Sequence, residues 1–225
     1  MILKEVLEQF SLSEESRKAL INGSLDAPRE FKTVATAILS GCFVVRQLGG
    51  EKKTVRVYPT CVEIYYHEEG REIKDPIVYH RNRKTKSTEK NYEVFLLGIL
   101  HNHVSGIDIT FEKEEEKGTG KNDEKGIVRA SALIREFRIE GHEKVEKRST
   151  YLYEALYSQF SIFDGGFSVV WEDGTEKEVD NGSPRKNVAA FDAKDDDFVK
   201  RPKEQPAKGF VPDVRKWQFR LKKEE

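Results

Sequence analysis

The run TVRVYPTCVEIYYHE, residues 54–68, constrains this chain more than any other stretch. Valine, isoleucine, threonine and tyrosine recur in it with a period near two, which suits a pleated strand with two unlike faces and does not suit a helix. On that pleat Val62, Ile64 and Tyr66 point one way, while Glu63, Tyr65 and His67 point the other. CFVVRQL from Cys42, GIDITFE from Gly106 and IVRASALIREFRI over 127–139 carry the same signal. A chain with several such runs has to build a sheet and cover one side of it. Pro59, inside the longest run, and Gly41 predict a break or an edge in that sheet.

Other segments supply the cover. ILKEVLEQF near the amino terminus has helical spacing, and in SLSEESRKALING Ser11 and Glu14 fit a capping box while Asn22 and Gly23 fit a helix stop. Further helices are predicted from Pro28 to about Leu39 and over TYLYEALYSQF. FSVVWEDGTEKEV reads as a hairpin turning at Asp173-Gly174. Residues 112–126 lack periodicity and predict an exposed loop; 192–212, charged and containing proline, predict a second, before a last strand in RKWQFRLK. No internal repeat occurs. The expected fold class is α+β: a single mixed domain over 1–225, with a curved antiparallel β-sheet, flanking helices and an N-terminal helical segment at 1–27.

Composition excludes several classes. Hydrophobic residues make up 37% and charged residues 35% of 225, a globular balance with a highly charged surface. No run reaches the roughly eighteen apolar residues of a membrane span, and Glu5 and Glu8 interrupt the first apolar segment, so neither a span nor a signal peptide is expected and a cytoplasmic location is. Cys42 and Cys61 form no CxxC pair and no zinc spacing, so both are expected to be buried and reduced. A net charge of −1 offers no bulk attraction for a phosphate backbone. The charge is nevertheless patchy. Lys52, Lys53 and Arg56 form one basic group, and Arg81, Arg83, Lys84, Lys86 and Lys90 another, balanced by acids at 114–116 and 195–197.

Three stretches carry chemistry-bearing side chains. In CVEIYYHEE an acid, a phenol and an imidazole share one strand face, which is also what an edge strand with a wet polar face would show. In KDPIVYHRNRKTKSTEKN a turn at Asp75-Pro76 precedes His80 and the basic run, an arrangement suited to a phosphate backbone or to a solvated loop. HNHVSGIDITFE holds His101 and His103 on one face of an extended segment, with Asp108 or Glu112 the nearby third donor that a metal would need. The literal His-Asn-His tripeptide is not a nuclease signature, because that motif draws its residues from separated positions on a hairpin and a helix.

Taken in order, these pieces resemble the alkyladenine (3-methyladenine) DNA glycosylase family over most of residues 30–221. AILSGCFVVR (37–46) resembles the family's entry into its first strand. VEIY (62–65) resembles the strand that bears the catalytic acid, and DPIVYH (75–80) its Asp-Pro-Ala-Ser-His. Thr88, Asn91, Phe95, Gly98 and Leu100 follow a Thr-Pro-Arg-Asn…Phe…Pro-Gly-x-Leu pattern with one residue fewer. ALIREF (132–137), SPRKN and KWQFRLK resemble the closing signatures. The resemblance implies a hydrolase that removes a modified purine base from DNA. In it Glu63 is the general base, Tyr65 stacks on the extruded base, His80 bonds its edge or the sugar-phosphate, His103 lies near a second stacking position, and Arg135 positions the site. Arg81, Arg83, Lys84, Lys86 and Lys90 would contact the nucleic acid. No metal or cofactor is implied, and a monomer is expected. Ser105 stands where the family has an aromatic wedge, and Glu112 near its asparagine. A non-catalytic nucleic-acid-binding protein of the same fold is the alternative, and a metal-dependent nuclease built on the histidines a more distant one.

Overall fold

The computed structural model describes residues 1–49, 53–68, 72, 73, 75, 78, 94–103, 105–115, 126–158, 160, 161, 163, 165–185, 191, 192, 210, 211 and 215–222. In chain order the elements are α1 (Leu3–Glu8), α2 (Glu14–Ile21), α3 (Arg29–Ser40), β1 (Cys42–Gln47), β2 (Thr54–Glu68), β3 (Leu100–His103), β4 (Gly106–Thr110), β5 (Lys113–Glu115), β6 (Gly126–Ile139) and β7 (Val145–Glu146). A 3-10 turn (Ser149–Tyr151) then leads into α4 (Leu152–Tyr157), followed by β8 (Phe167–Glu172), β9 (Phe191–Asp192), β10 (Phe210–Val211) and β11 (Gln218–Arg220). This is an α+β arrangement whose antiparallel main sheet curls into a half-barrel.

The long alternating run is the axis of that sheet. β2 pairs along one side with β6, from Val57 opposite Ile139 to Glu68 opposite Val128. Along the other side it pairs first with β1, up to Val57, and then with β11 from Cys61 to Glu63. The strand runs through Pro59, and the expected break takes the form of an irregularity in the pairing rather than an edge. Pro59 lies between the last β1 partner and the first β11 partner, and at a register shift against β6, so its missing N–H costs no ladder bond. β2 is therefore central, and its polar face is not the wet face of an edge. Glu63 is 0% exposed and His67 5%.

The opposite face is the core. Val62, Ile64 and Tyr66 join Ile107, Ile109, Ala130, Ala132 and Ile134 beneath α1 and α3. α3 buries Phe31, Val34, Ala35 and Ile38, the i, i+3, i+4, i+7 stripe of an amphipathic helix. Phe31 is wholly enclosed, its ring centroid 5.0 Å from Trp217, 5.6 Å from Tyr66 and 6.1 Å from Phe10.

Other expectations shift in detail. α2 is capped by Ser13 rather than Ser11, because the Ser13 hydroxyl accepts from the Ser16 amide at 3.3 Å. Asn22 and Gly23 end that helix as expected, with Gly23 at φ +82°. Asp173-Gly174 does not turn a hairpin: β8 pairs with β1, and Val179 bridges to Leu221. Asp173 instead accepts from the Leu3 amide at 2.8 Å and the Trp171 indole at 3.0 Å. Gly174 passes so close to Ser40 that a Cβ would sit 2.1 Å from its carbonyl oxygen. The stretch 112–126 contains a short strand, β5, paired with the start of β6, and 192–212 contributes β10 to a small pair with β9. Residues 116–125 and 193–209 lie outside the described residues. Both cysteines are buried and free, and burial pushes the Cys61 thiol up to about 12. No helix among the described residues is long and apolar enough to cross a membrane.

Glu30 ties α3 to the start of α2, accepting from the Ser13 amide at 3.1 Å and the Ser16 hydroxyl at 2.7 Å. Burial alone would raise its carboxyl, but these donors outweigh it and lower the group from 4.5 to about 2. A depressed folded pKa contributes stability that is complete above the ordinary carboxylate range and is lost as pH falls through the folded value. Glu30→Gln should therefore flatten the acid limb of the urea-unfolding free energy between about pH 4.5 and 2, with little change in slope near neutrality. An unchanged acid limb would refute this linkage.

Candidate functional site

In-register pairing puts a row of side chains across the polar face. Gln218 on β11, Glu63 on β2, Leu133 on β6, Asp108 on β4 and His101 on β3 lie side by side. Tyr65, Ser131 and Thr110 form the next row. Residues in register share a face of the sheet, so the expected alternation holds: Ile107, Ile109 and Phe111 enter the core, and Asp108, Thr110 and Glu112 turn away from it.

Glu63 sits at the centre of this face. The Tyr65 hydroxyl donates to its Oε2 at 2.8 Å, and Arg135 Nε lies 3.5 Å from Oε1, reaching diagonally from β6. Burial, and then the neighbouring Glu63 carboxylate, push the Tyr65 phenol well above its ordinary value of 10. Arg185 lies over the Tyr65 ring at 4.7 Å and over the Trp217 ring at 5.0 Å.

Arg185 and Arg215 were not among the site residues expected from sequence, yet they bind Asp75 together. Arg185 donates to both carboxylate oxygens, at 2.8 and 3.2 Å, and Arg215 to Oδ1 at 3.1 Å. Asp75 also accepts from the Tyr66 amide at 3.3 Å, and its own amide donates to His67 Nδ1 at 3.1 Å. Thus Asp75 of DPIVYH, Arg185 of SPRKN and Arg215, just before KWQFRLK, meet in one cluster. Nothing in their spacing announces this, because the pairing spans 110 and 140 residues.

At the other end of the row, His103 Nε2 lies 3.2 Å from Asp108 Oδ1 and His101 Nδ1 lies 3.9 Å from Oδ2. The Ser131 hydroxyl donates to Oδ2 at 3.3 Å. Burial would raise Asp108, but the two imidazoles outweigh it and hold the carboxyl below its ordinary value. Asp108 is thus the third donor beside the histidines. Glu112, the other candidate, instead accepts from Arg129 at 2.8 Å and from the Phe95 amide at 2.9 Å.

The turn joining β3 to β4 is fixed from outside the sheet. Tyr153 donates to the carbonyls of His103 and Gly106, and Ser149 to that of Ser105 at 2.6 Å. Gly106 is required there: at φ +137° a Cβ would also press within 3.0 Å of Ser149 and 3.1 Å of Leu133. Ser105 itself is exposed.

The structure brings together Glu63, Tyr65 and Arg135, and separates them from His103, which pairs with Asp108 two strands away. His80, Arg81, Arg83, Lys84, Lys86 and Lys90 lie outside the described residues. A mainly apolar cavity of about 250 Å³ opens on the opposite, core side of the sheet, between Leu3, Leu7, Leu97, Ile109 and Trp171. In comparisons with known proteins, no family model, no curated protein and no solved structure matches this chain.

The Tyr65 environment has a direct consequence. In an ultraviolet titration of phenolate absorbance, the wild-type minus Tyr65→Phe difference should stay flat through about pH 10, where an ordinary tyrosine ionises, and rise only as the protein unfolds. A full tyrosine's difference appearing at pH 10 in folded protein would show that Tyr65 is not held as described.

Proposed function

We propose that this chain hydrolyses the N-glycosidic bond of a modified purine, alkylated or deaminated, in DNA, with Glu63 activating the water. The observation that carries the reading is a fully buried carboxylate fixed by a phenol at 2.8 Å and a guanidinium at 3.5 Å on the non-core face of the sheet. Such an acid is oriented before substrate arrives, and orientation is what a general base most needs. In the reaction the water oxygen bonds to the anomeric carbon as its proton passes to Glu63. The carbon–nitrogen bond breaks, and the base leaves with the bonding pair and takes up a proton. Positive charge developing on the sugar is stabilised by the same carboxylate.

Two further features fit. Arg135 neighbours the carboxylate rather than the base, a positioning role. Arg185 covers one side of the Tyr65 ring at 4.7 Å, so stacking of an extruded base falls to the other side. The resemblance of VEIY, DPIVYH and ALIREF to the alkyladenine glycosylase family supplies the substrate class, and the basic residues Arg81, Arg83, Lys84, Lys86 and Lys90 supply the contact with DNA phosphates.

Oligonucleotides carrying ethenoadenine or hypoxanthine should yield abasic sites with wild type, and Glu63→Gln should lower the single-turnover rate by roughly 10²–10⁴-fold. Base release at the wild-type rate by Glu63→Gln would remove the carboxylate from the mechanism. No release from any lesion by wild type, with binding that weakens steeply as salt rises, would leave a nucleic-acid-binding protein without turnover.

A further inference from the structure

We infer that His101, His103 and Asp108 form a binding site for a divalent transition-metal ion of the class that accepts mixed imidazole and carboxylate donors, Zn2+ being the representative. One donor atom from each residue lies within 4.8 Å of the others, and the closest pair, His103 Nε2 and Asp108 Oδ1, is 3.2 Å apart. An ion with bonds of about 2.0–2.2 Å holds its neighbouring donors roughly 3–3.5 Å apart, so His103 and Asp108 already stand at that spacing and His101, 3.9 Å from Asp108, has to approach.

A second observation points the same way. Asp108 is buried, and its two oxygens differ: Oδ2 accepts from the Ser131 hydroxyl at 3.3 Å, whereas Oδ1 accepts no hydrogen bond. The approach of His103 Nε2 at 3.2 Å falls outside hydrogen-bond geometry. A cation between this oxygen and the imidazoles would give it the partner that hydrogen bonding does not. Ser131 then acts as the outer partner that orients a ligating carboxylate.

The mount is equally suited. His101 stands opposite Asp108 in the β3–β4 ladder, and His103 opposite Gly106, so three donors project from one short, turn-braced hairpin. Two imidazoles and one carboxylate suit Zn2+, Co2+ or Fe2+, whereas Ca2+ and Mg2+ favour all-oxygen sets. Three protein donors also leave a coordination position for water, which makes the ion a candidate Lewis acid. The site lies two strand spacings, about 10 Å, from Glu63, and its existence does not rest on the N-glycosidic reading.

Binding has a structural signature of its own. His103 Nδ1 accepts from the Ser105 amide at 3.2 Å, which puts the imidazole proton on Nε2. A metal at Nε2 moves that proton to Nδ1, where two N–H groups would then face each other, so the Ser105 contact has to open.

The full chain, stripped by dialysis against a chelator, is equilibrated in turn with Zn2+, Co2+, Mn2+ and, without oxygen, Fe2+. One equivalent of Zn2+ should be retained. Asp108→Asn and His103→Gln should each weaken retention by at least ~10-fold, and His142→Gln, which removes an exposed histidine outside the cluster, should leave it unchanged. Co2+ should give the visible spectrum of a four- or five-coordinate nitrogen and oxygen site, and saturation with Zn2+ should shift the Ser105 amide resonance. Retention of none of the four ions by wild type would overturn the inference. So would equal retention by folded Asp108→Asn and His103→Gln. The Co2+ spectrum and the Ser105 resonance need no variant, so they decide the matter even if a substitution fails to fold.

Discussion

Over its second half, Cys61–Glu68, the central strand β2 buries both faces apart from the half-buried Tyr65, and only one of them is apolar. An apolar face is satisfied by being covered, which α1 and α3 do. A polar face cannot be closed that way, because each buried acid, hydroxyl and imidazole needs a partner or costs free energy on the scale of a lost hydrogen bond or more. The rest of the molecule answers that demand. β6 contributes Arg135 to Glu63, Arg129 to Glu112 and Ser131 to Asp108. The carboxy-terminal segments contribute Arg185 and Arg215 to Asp75 and lay Gln218 beside Glu63. Polar complementarity across the sheet thus does for one side what hydrophobic burial does for the other.

This division accounts for what was legible in the sequence. The two faces of β2 could be read because period-two information lies within one continuous run: Glu63, Tyr65 and His67 share a face in any extended conformation. The stripe of α3 and the stop at Asn22-Gly23 were legible for the same local reason. Partners were not. Asp75 and Arg185 are far apart in the chain, and a proline, a turn or a basic run near either says nothing about which cation will neutralise which anion. The error at Asp173-Gly174 is of this kind as well. The dipeptide suits a hairpin locally, but close passage past Ser40 and pairing of β8 with β1 decided the outcome. Pro59 marked an irregularity but not its form: a missing donor matters only where the ladder requires one, and the gap between β1 and β11 does not.

The polar face holds two centres rather than one. Glu63 with Tyr65 and Arg135 is an acid constrained by a phenol and a cation. Asp108 with His101 and His103 is an acid facing two imidazoles. Leu133, buried and in register with both acids, stands between them. It keeps the two carboxylates from repelling each other at close range, and about 10 Å of separation in a shielded interior still lets one centre feel the other.

The hairpin that carries the second centre also bears on how a nucleic acid would have to arrive. Tyr153 and Ser149 hold the carbonyls of His103, Ser105 and Gly106 around its turn. A held backbone without bulk does not push a nucleotide out of a helix. Proteins that open a base step do so by inserting an apolar side chain into the stack, and the lost stacking is offset by that side chain. Ser105, exposed at the tip of this turn, has neither the area nor the apolar surface for it. Under the N-glycosidic reading the unstacking energy must therefore come from the substrate, which favours a nucleotide already unpaired, damaged or in a single strand over one embedded in an intact duplex.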